Sequence, residues 1–205
     1  MSSKPKLIPG IPEQKKGSFH DTESRKIFDD EESALQEYQI LKKRFLSINH
    51  WQEYCKKKSA EFKLFDSKGN HITRHPQEND LIRINIPGPG NPESKGYEWV
   101  KIVQISDQFL NEGEIENLII NCIPTTDPNQ KNDHIAHFYS KDSSSTFKIS
   151  RGSKYIKMAI YGRNETPNMN TNLAGKIRNL MIGFGGMFGM SKTQWKVFAD
   201  EILKF

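Results

Sequence analysis

The sequence predicts an α+β fold: a curved antiparallel sheet of about six or seven strands, with an N-terminal amphipathic helix and C-terminal helices packed on it. Two observations support this prediction. Alternating apolar residues recur through the middle of the chain, between short polar turns with no helical crossover. Apolar residues at steps of three and four, typical of amphipathic helices, lie before and after that region.

Length and composition restrict the class of protein. The chain has 205 residues, of which 35% are hydrophobic and 27% charged, so the core must come from a few concentrated segments. The formal charge of +5, spread over both signs, is too small to indicate a nucleic-acid interface. No apolar run approaches the roughly 18–20 residues of a membrane span, and the first residues lack the apolar core of a signal peptide. We expect a soluble, cytoplasmic protein with reduced cysteines and no membrane contact.

The N-terminal region divides into two parts. Residues 1–28 are rich in Lys, Pro, Gly and Ser, which predicts a flexible N-terminal arm, followed by a single α+β domain over residues 29–205. Acidic residues at 29–32 favour the start of a helix, and the lysines at 56–58 favour its end. The helix should reach Tyr54 or Cys55 with one apolar stripe made of Leu35, Tyr38, Leu41, Phe45, Ile48 and Trp51.

Strands are predicted from period-two alternation. A short strand contains Phe62 and Leu64, and the others span about 80–86, 98–105, 117–123, 134–139, 146–150 and 154–162. The segment from Pro87 to Pro92 should be a stiff loop, because its prolines and glycines fit neither a helix nor a central strand.

Helices return at the C-terminus. Asn170 or Thr171 can cap a helix that carries Leu173, Ile177 and Leu180. The glycines of residues 181–190 predict a break in it. A capping box at 191–194 precedes a last helix with the apolar stripe Trp195, Phe198, Ile202 and Phe205.

The run 154–165 contains most of the candidate binding residues. Ile156, Met158 and Ile160 share one face, the natural core face, whereas Tyr155, Lys157, Tyr161 and Arg163 share the other. Such a face can stack on and hydrogen-bond a small anionic or planar ligand, or a protein partner. The alternative is an exposed strand face with ordinary cross-strand pairs. The predicted ligand-binding set is Arg83, Trp99, Lys101, Tyr155, Lys157, Tyr161, Arg163, Asn164 and Glu165.

The leading hypothesis is therefore a non-enzymatic binding or interaction module that uses this cationic and aromatic sheet face. The first alternative is a small-molecule enzyme whose pocket holds Glu165 and Arg163, which should project to the same side, with Asn164 orienting the substrate. The second alternative is a weak nucleic-acid binder, whose affinity would fall steeply with salt.

Other motifs give no site. His134 and His137 are spaced as HxxH, but in a strand positions three apart face opposite sides, so we expect no metal site. The glycines at 183–189 lack the lysine and hydroxyl of a phosphate-binding loop. The sequence predicts no cofactor and contains no recognisable catalytic constellation.

Several phrases resemble those of an uncharacterised protein family of Bacteroidetes-type bacteria, over about residue 50 to the end. They are FKLFDSKGN at 62–70, DLIRINIPGPG at 80–90, GYEWV at 96–100 and YGRNE at 161–165. The resemblance implies no activity, ligand or catalytic residue. The strand-rich middle and C-terminal helix are also loosely similar to helix-grip ligand-binding folds, although the glycine-broken helix departs from the single long helix of those folds.

Overall fold

The computed structural model describes residues 4–54, 60–86, 94–131, 133–168 and 192–205. The described helices are α1 (Glu31–Leu46), α2 (Trp51–Tyr54) and α3 (Lys192–Glu201), and a 3-10 turn (Ile48–His50) joins the first two. The strands are β1 (Ser18–Ile27), β2 (Glu61–Phe65), β3 (Leu81–Asn85), β4 (Tyr97–Ser106), β5 (Glu116–Pro124), β6 (Ser144–Arg151) and β7 (Tyr155–Glu165). The predicted loop at 87–92, the lysines at 56–58, and the predicted helix and break over 170–190 lie outside the described residues.

The seven strands form one antiparallel sheet in the order β1-β7-β6-β5-β4-β3-β2. From β2 to β7 every strand pairs with its neighbour in sequence, as short connections favour. The exception is β1, which pairs with β7 and thereby brings the two ends of the strand region together. The predicted antiparallel sheet of six or seven strands is confirmed.

The three helices pack on one face of the sheet, the inner face. Trp51 is central to this core, with ring centroids 5.0 to 5.3 Å from those of Phe62, Phe147 and Phe198. Ile156, Met158 and Ile160 of β7 are buried in the same cluster, as their alternation predicted. None of the helices within the described residues is long and apolar enough to span a membrane.

Helix α1 begins where its charges predict. The side chain of Asp30 caps it by accepting a hydrogen bond from the backbone N–H of Ser33, at 2.7 Å. It ends at Leu46 rather than near residue 54, because the chain turns at Ser47 into the 3-10 turn. Leu35 is exposed, and Ala34 takes its expected place in the core.

Two strand predictions were wrong. Residues 18–27, expected to belong to a flexible arm, form the ten-residue β1. Its inner face carries polar side chains, among them His20, Thr22 and Ser24, so the apolar alternation that signals a strand is missing. Residues 134–139 form only isolated bridges at Ile135 and Tyr139 rather than a strand.

Candidate functional site

The predicted binding residues do not form one surface. Tyr155, Lys157, Tyr161 and Arg163 lie on β7, whereas Arg83, Trp99 and Lys101 lie on β3 and β4. Strands β6 and β5 separate the two groups in the sheet. Because neighbouring strands are about 4.8 Å apart, the two groups are well over 10 Å from each other.

The β7 group is buried beneath other parts of the chain. Tyr161 is 0% exposed and Arg163 is 1% exposed. Nη1 of Arg163 lies 2.7 Å from a carboxylate oxygen of Asp21, and Nη2 donates to the backbone carbonyl of Lys6. Tyr161 donates to Glu23. The expected exposed ligand surface is therefore a second, polar core under the N-terminal segment.

The remaining β7 residues of this face also have internal partners. Lys157 pairs with Glu114 at 3.0 Å, in the connection between β4 and β5. The hydroxyl of Tyr155 donates to the carbonyl of Gly113, and the guanidinium of Arg25 stacks 3.9 Å from its ring centroid. These contacts fix the β4–β5 connection to the outer face and add a side-chain contact between β1 and β7 there.

The β3 and β4 group forms a small aromatic cluster. The indole N–H of Trp99 donates to Ser94, whose hydroxyl donates to Asp127. Arg83 stacks over Tyr97, with 4.2 Å between the guanidinium carbon and the ring centroid. Lys101 is half-buried on the same strand. Buried Trp99 therefore stabilises a loop, and only the rim of this cluster is accessible.

Arg163 and Glu165 project to opposite faces, contrary to the prediction that they share a side. Gly162 pairs with His20 and Glu165 pairs with Ser18, so three residue steps on β7 lie opposite two on β1. This extra residue on β7 is a β-bulge. Asn164 is the bulged residue, with a positive φ of 55°. Its side-chain oxygen accepts the backbone N–H groups of Lys15 and Lys16, so Asn164 fastens the N-terminal segment.

The bulge directs Glu165 into a small cavity between the inner face of the sheet and α3. The cavity has a volume of about 40 Å³, which exceeds the roughly 10–15 Å³ that one water molecule needs. It therefore has room for a few waters or for one small organic group. Its walls are mainly apolar with a few polar groups, and they consist of His20, Ile84, Ile86, Val100, Cys122, His137, Tyr139, Ser145, Phe147, Glu165 and Trp195.

His20 and Glu165 form a buried pair in the cavity wall. Nδ1 of His20 lies 2.7 Å from Oε1 of Glu165, and their side chains are only 7% and 8% exposed. Ser18 donates to the other carboxylate oxygen of Glu165. Nε2 of His20 is buried and has no hydrogen-bond partner among the described residues. The ring of Trp195 stacks on that of His20, with an interplanar angle of 12°.

A second buried pair, Glu98 and His137, lies at the same end of the sheet. Burial raises the pKa of Glu98 to about 8 and lowers the pKa of His137 to about 4. Both groups are therefore neutral at pH 7, and the 3.7 Å contact between them is not an ion pair. Glu98 accepts the backbone N–H of Phe138 at 2.7 Å, while its other oxygen, Oε1, is buried without a partner among the described residues.

The hydrogen bonds assign the tautomers of the two histidines. Nδ1 of His20 faces a carboxylate, so we infer that it carries the proton and that Nε2 is an acceptor. Nδ1 of His137 accepts the backbone N–H of Tyr139 at 2.9 Å, so in the neutral ring Nε2 carries the proton. In these neutral tautomers, the residues that line the cavity include one unpaired imidazole acceptor, Nε2 of His20, and one imidazole N–H, on Nε2 of His137.

Sequence reasoning identified Glu165 but missed its partners. His20 was assigned to the flexible arm, and His137 was considered only as a metal ligand. No local pattern distinguishes either residue, because each joins the site through pairing between distant parts of the chain.

Comparisons with known proteins add limited information. No protein-family model and no curated protein matches the chain. Norcoclaurine synthase from Thalictrum flavum, solved with dopamine and hydroxybenzaldehyde, is 10% identical with a TM-score of 0.40 over 98% of this chain and 95% of that one. Major latex-like protein 151 from Panax ginseng is 9% identical with a TM-score of 0.40, over 91% and 97% of the two chains. Similarities at these TM-scores establish neither a family nor a function for this chain.

Proposed function

We propose that the protein is a binding module that holds a small, neutral organic molecule in the inner cavity. One observation carries the proposal: Nε2 of His20 is a buried polar atom without a partner among the described residues, in the wall of a cavity. An unpaired buried acceptor costs about 1–3 kcal/mol. A ligand that donates a hydrogen bond to it would recover part of that cost.

The walls favour a neutral ligand over the anionic one expected from the sequence. No arginine or lysine is among the described residues that line the cavity. Arg163 is two residues from Glu165 in sequence, but it lies on the outer face of the sheet and is paired with Asp21. Trp195 and Phe147 offer flat apolar surface, so a planar ligand remains compatible with the site.

The outer sheet face is a poorer candidate for the site. Lys148 and Lys157 both pair with Glu114, and Arg163 pairs with Asp21. These cations are therefore covered and engaged by internal carboxylates, which disfavours nucleic-acid binding through the strands. The cytoplasmic location expected from the sequence belongs to the same proposal, and the free thiol of Cys122 agrees with a reducing compartment.

The test uses butan-2-ol, a small alcohol that can donate to His20, and follows the indole N–H resonance of Trp195. We expect a saturable shift with a dissociation constant of about 1 mM or weaker, as befits a ligand with few atoms. The Val100→Phe variant should abolish the shift, because Val100 is 4% exposed and lines the cavity.

Val103→Phe is the matched control. Val103 lies on the same strand but is 37% exposed at the β4 irregularity, so the added ring should leave the cavity open. Butan-2-ol should shift the Trp195 resonance in this variant as in the wild type. A linear, unsaturable shift in the wild type, or an equal shift in Val100→Phe, would contradict the proposal.

A further inference from the structure

We propose that His20 acts as a general base in this cavity, that the substrate is a small ketone or aldehyde whose α-proton His20 removes, and that His137 donates to the carbonyl oxygen. This inference rests on the proposed function, since the substrate must first enter the cavity. The site would then catalyse proton removal from its ligand as well as bind it.

The surroundings of His20 are those of a positioned base. Oε1 of Glu165 lies 2.7 Å from Nδ1, which holds the ring in place and favours the tautomer with the proton on Nδ1. The ring of Trp195 lies nearly parallel to that of His20, with 6.3 Å between the ring centroids. Because Nε2 is not engaged by any described residue, it is available to a proton on a bound molecule.

Gly162 shows that the chain makes space for this pair. A Cβ atom on residue 162 would lie 2.1 Å from Oε1 of Glu165 and 2.3 Å from Nδ1 of His20. Side-chain contacts that short do not occur, so the pair can occupy its position only because residue 162 has no side chain. Glu165 and Gly162 act through His20 and are positioning residues.

His137 supplies the complementary group. Its Nδ1 accepts from the backbone N–H of Tyr139, which leaves the proton of the neutral ring on Nε2. Burial keeps its pKa near 4, so the ring is a neutral hydrogen-bond donor at pH 7 rather than a cation. His20 and His137 line the same cavity of about 40 Å³, so the proposal places one bound ketone against both side chains.

The proton transfer balances without a further reagent. Nε2 of His20 takes the α-proton, and the electrons of the C–H bond form a carbon–carbon double bond as the carbonyl π electrons move to oxygen. The N–H of His137 stabilises the negative oxygen. Return of a solvent-derived proton or deuteron from His20 to carbon regenerates the ketone, so the net observable in D₂O is deuterium exchange at the α-carbon.

The experiment measures this exchange for butan-2-one in D₂O by proton NMR, with the protein at catalytic concentration. General bases contribute about 10²–10⁴-fold, so we expect exchange above the buffer rate and an approximately hundredfold fall in His20→Gly. Added imidazole should restore exchange in His20→Gly, and added formate should restore it in Glu165→Ala. If His20 and Glu165 were purely structural, neither small molecule would restore exchange in these variants.

The controls separate this inference from the proposed function. Val103→Phe should exchange butan-2-one at the wild-type rate, whereas Val100→Phe should exchange it at the buffer rate. If butan-2-one shifts the Trp195 indole signal but its α-protons exchange no faster than in buffer, the general-base inference is overturned and the binding proposal stands. If neither butan-2-one nor butan-2-ol shifts that signal, both are overturned.

Discussion

His20 and Gly162 face each other across β1 and β7, and a Cβ atom on residue 162 would lie 2.3 Å from Nδ1 of His20. Because residue 162 has no side chain, the imidazole of His20 and the carboxylate of Glu165 can meet on the inner face of the sheet.

Gly162→Ala should push His20 and Glu165 apart and lower the free energy of unfolding by about 1–3 kcal/mol, as overpacking does. Urea unfolding measures the loss, and the imidazole ¹⁵N spectrum reports the broken pair. Gly113→Ala is a control, because Gly113 has a positive φ but nothing within 4 Å of its Cβ position. It should cost stability without changing the His20 spectrum, and an unchanged His20 spectrum in Gly162→Ala would refute the contact.

Glu98→Gln should remove a pH dependence of stability. The folded-state pKa of Glu98, about 8, exceeds the ordinary glutamate value of 4.5, so its stabilising contribution is fully present at low pH. That contribution is lost as pH rises towards 8, with a limiting slope of about 1.4 kcal/mol per pH unit. Urea unfolding of the wild type should therefore show a decline between pH 6.5 and 8 that Glu98→Gln lacks. Parallel curves would show that Glu98 is ionised in the folded protein.

His137→Asn should change stability in a lower pH range and with the opposite sign. Burial depresses the pKa of His137 from 6.5 to about 4, so its contribution is present above pH 6.5 and is lost as pH falls to 4. Asparagine can still accept the backbone N–H of Tyr139. The advantage of the wild type over the variant should therefore shrink as pH falls from 6.5 to 4, measured by urea unfolding. A constant difference would mean that His137 takes up its proton in the folded protein as readily as in the unfolded chain.

Arg163→Ala should be strongly destabilising, because it leaves the largely buried carboxylate of Asp21 without its cation. Loss of one partner of a buried ion pair costs about 3–5 kcal/mol. Arg83→Ala is the matched control, since Arg83 is half-buried and stacks on Tyr97 and Phe65. It should cost about 1 kcal/mol or less. Equal losses in chemical denaturation would show that the outer face over β7 is exposed.

Much of the fold was predictable from local pattern. The alternation of Ile156, Met158 and Ile160 identified the inner face of β7, and the stripe of Trp195, Phe198 and Ile202 identified the face of α3 that packs on the sheet. These predictions succeed because each apolar residue contributes to the core directly.

The site was less predictable, for two physical reasons. In β1 the inner face is polar at His20, Thr22 and Ser24, so the strand has no hydrophobic period to detect. In β7 the bulge at Asn164 reverses the side to which Glu165 points, and a strict period of two cannot anticipate one extra residue. The outer face of β7 was judged exposed because the chain that covers it, around Lys6 and Glu114, is distant in sequence.

The most direct test of the cavity site is the long-range ¹H–¹⁵N spectrum of the His20 imidazole during a titration with butan-2-ol. We expect a protonated Nδ1 and an unprotonated Nε2 in the free protein. We further expect the Nε2 resonance to move and saturate as the alcohol binds. An Nε2 that is already protonated and hydrogen-bonded, or one that does not respond to any concentration of butan-2-ol, would contradict a binding site at His20.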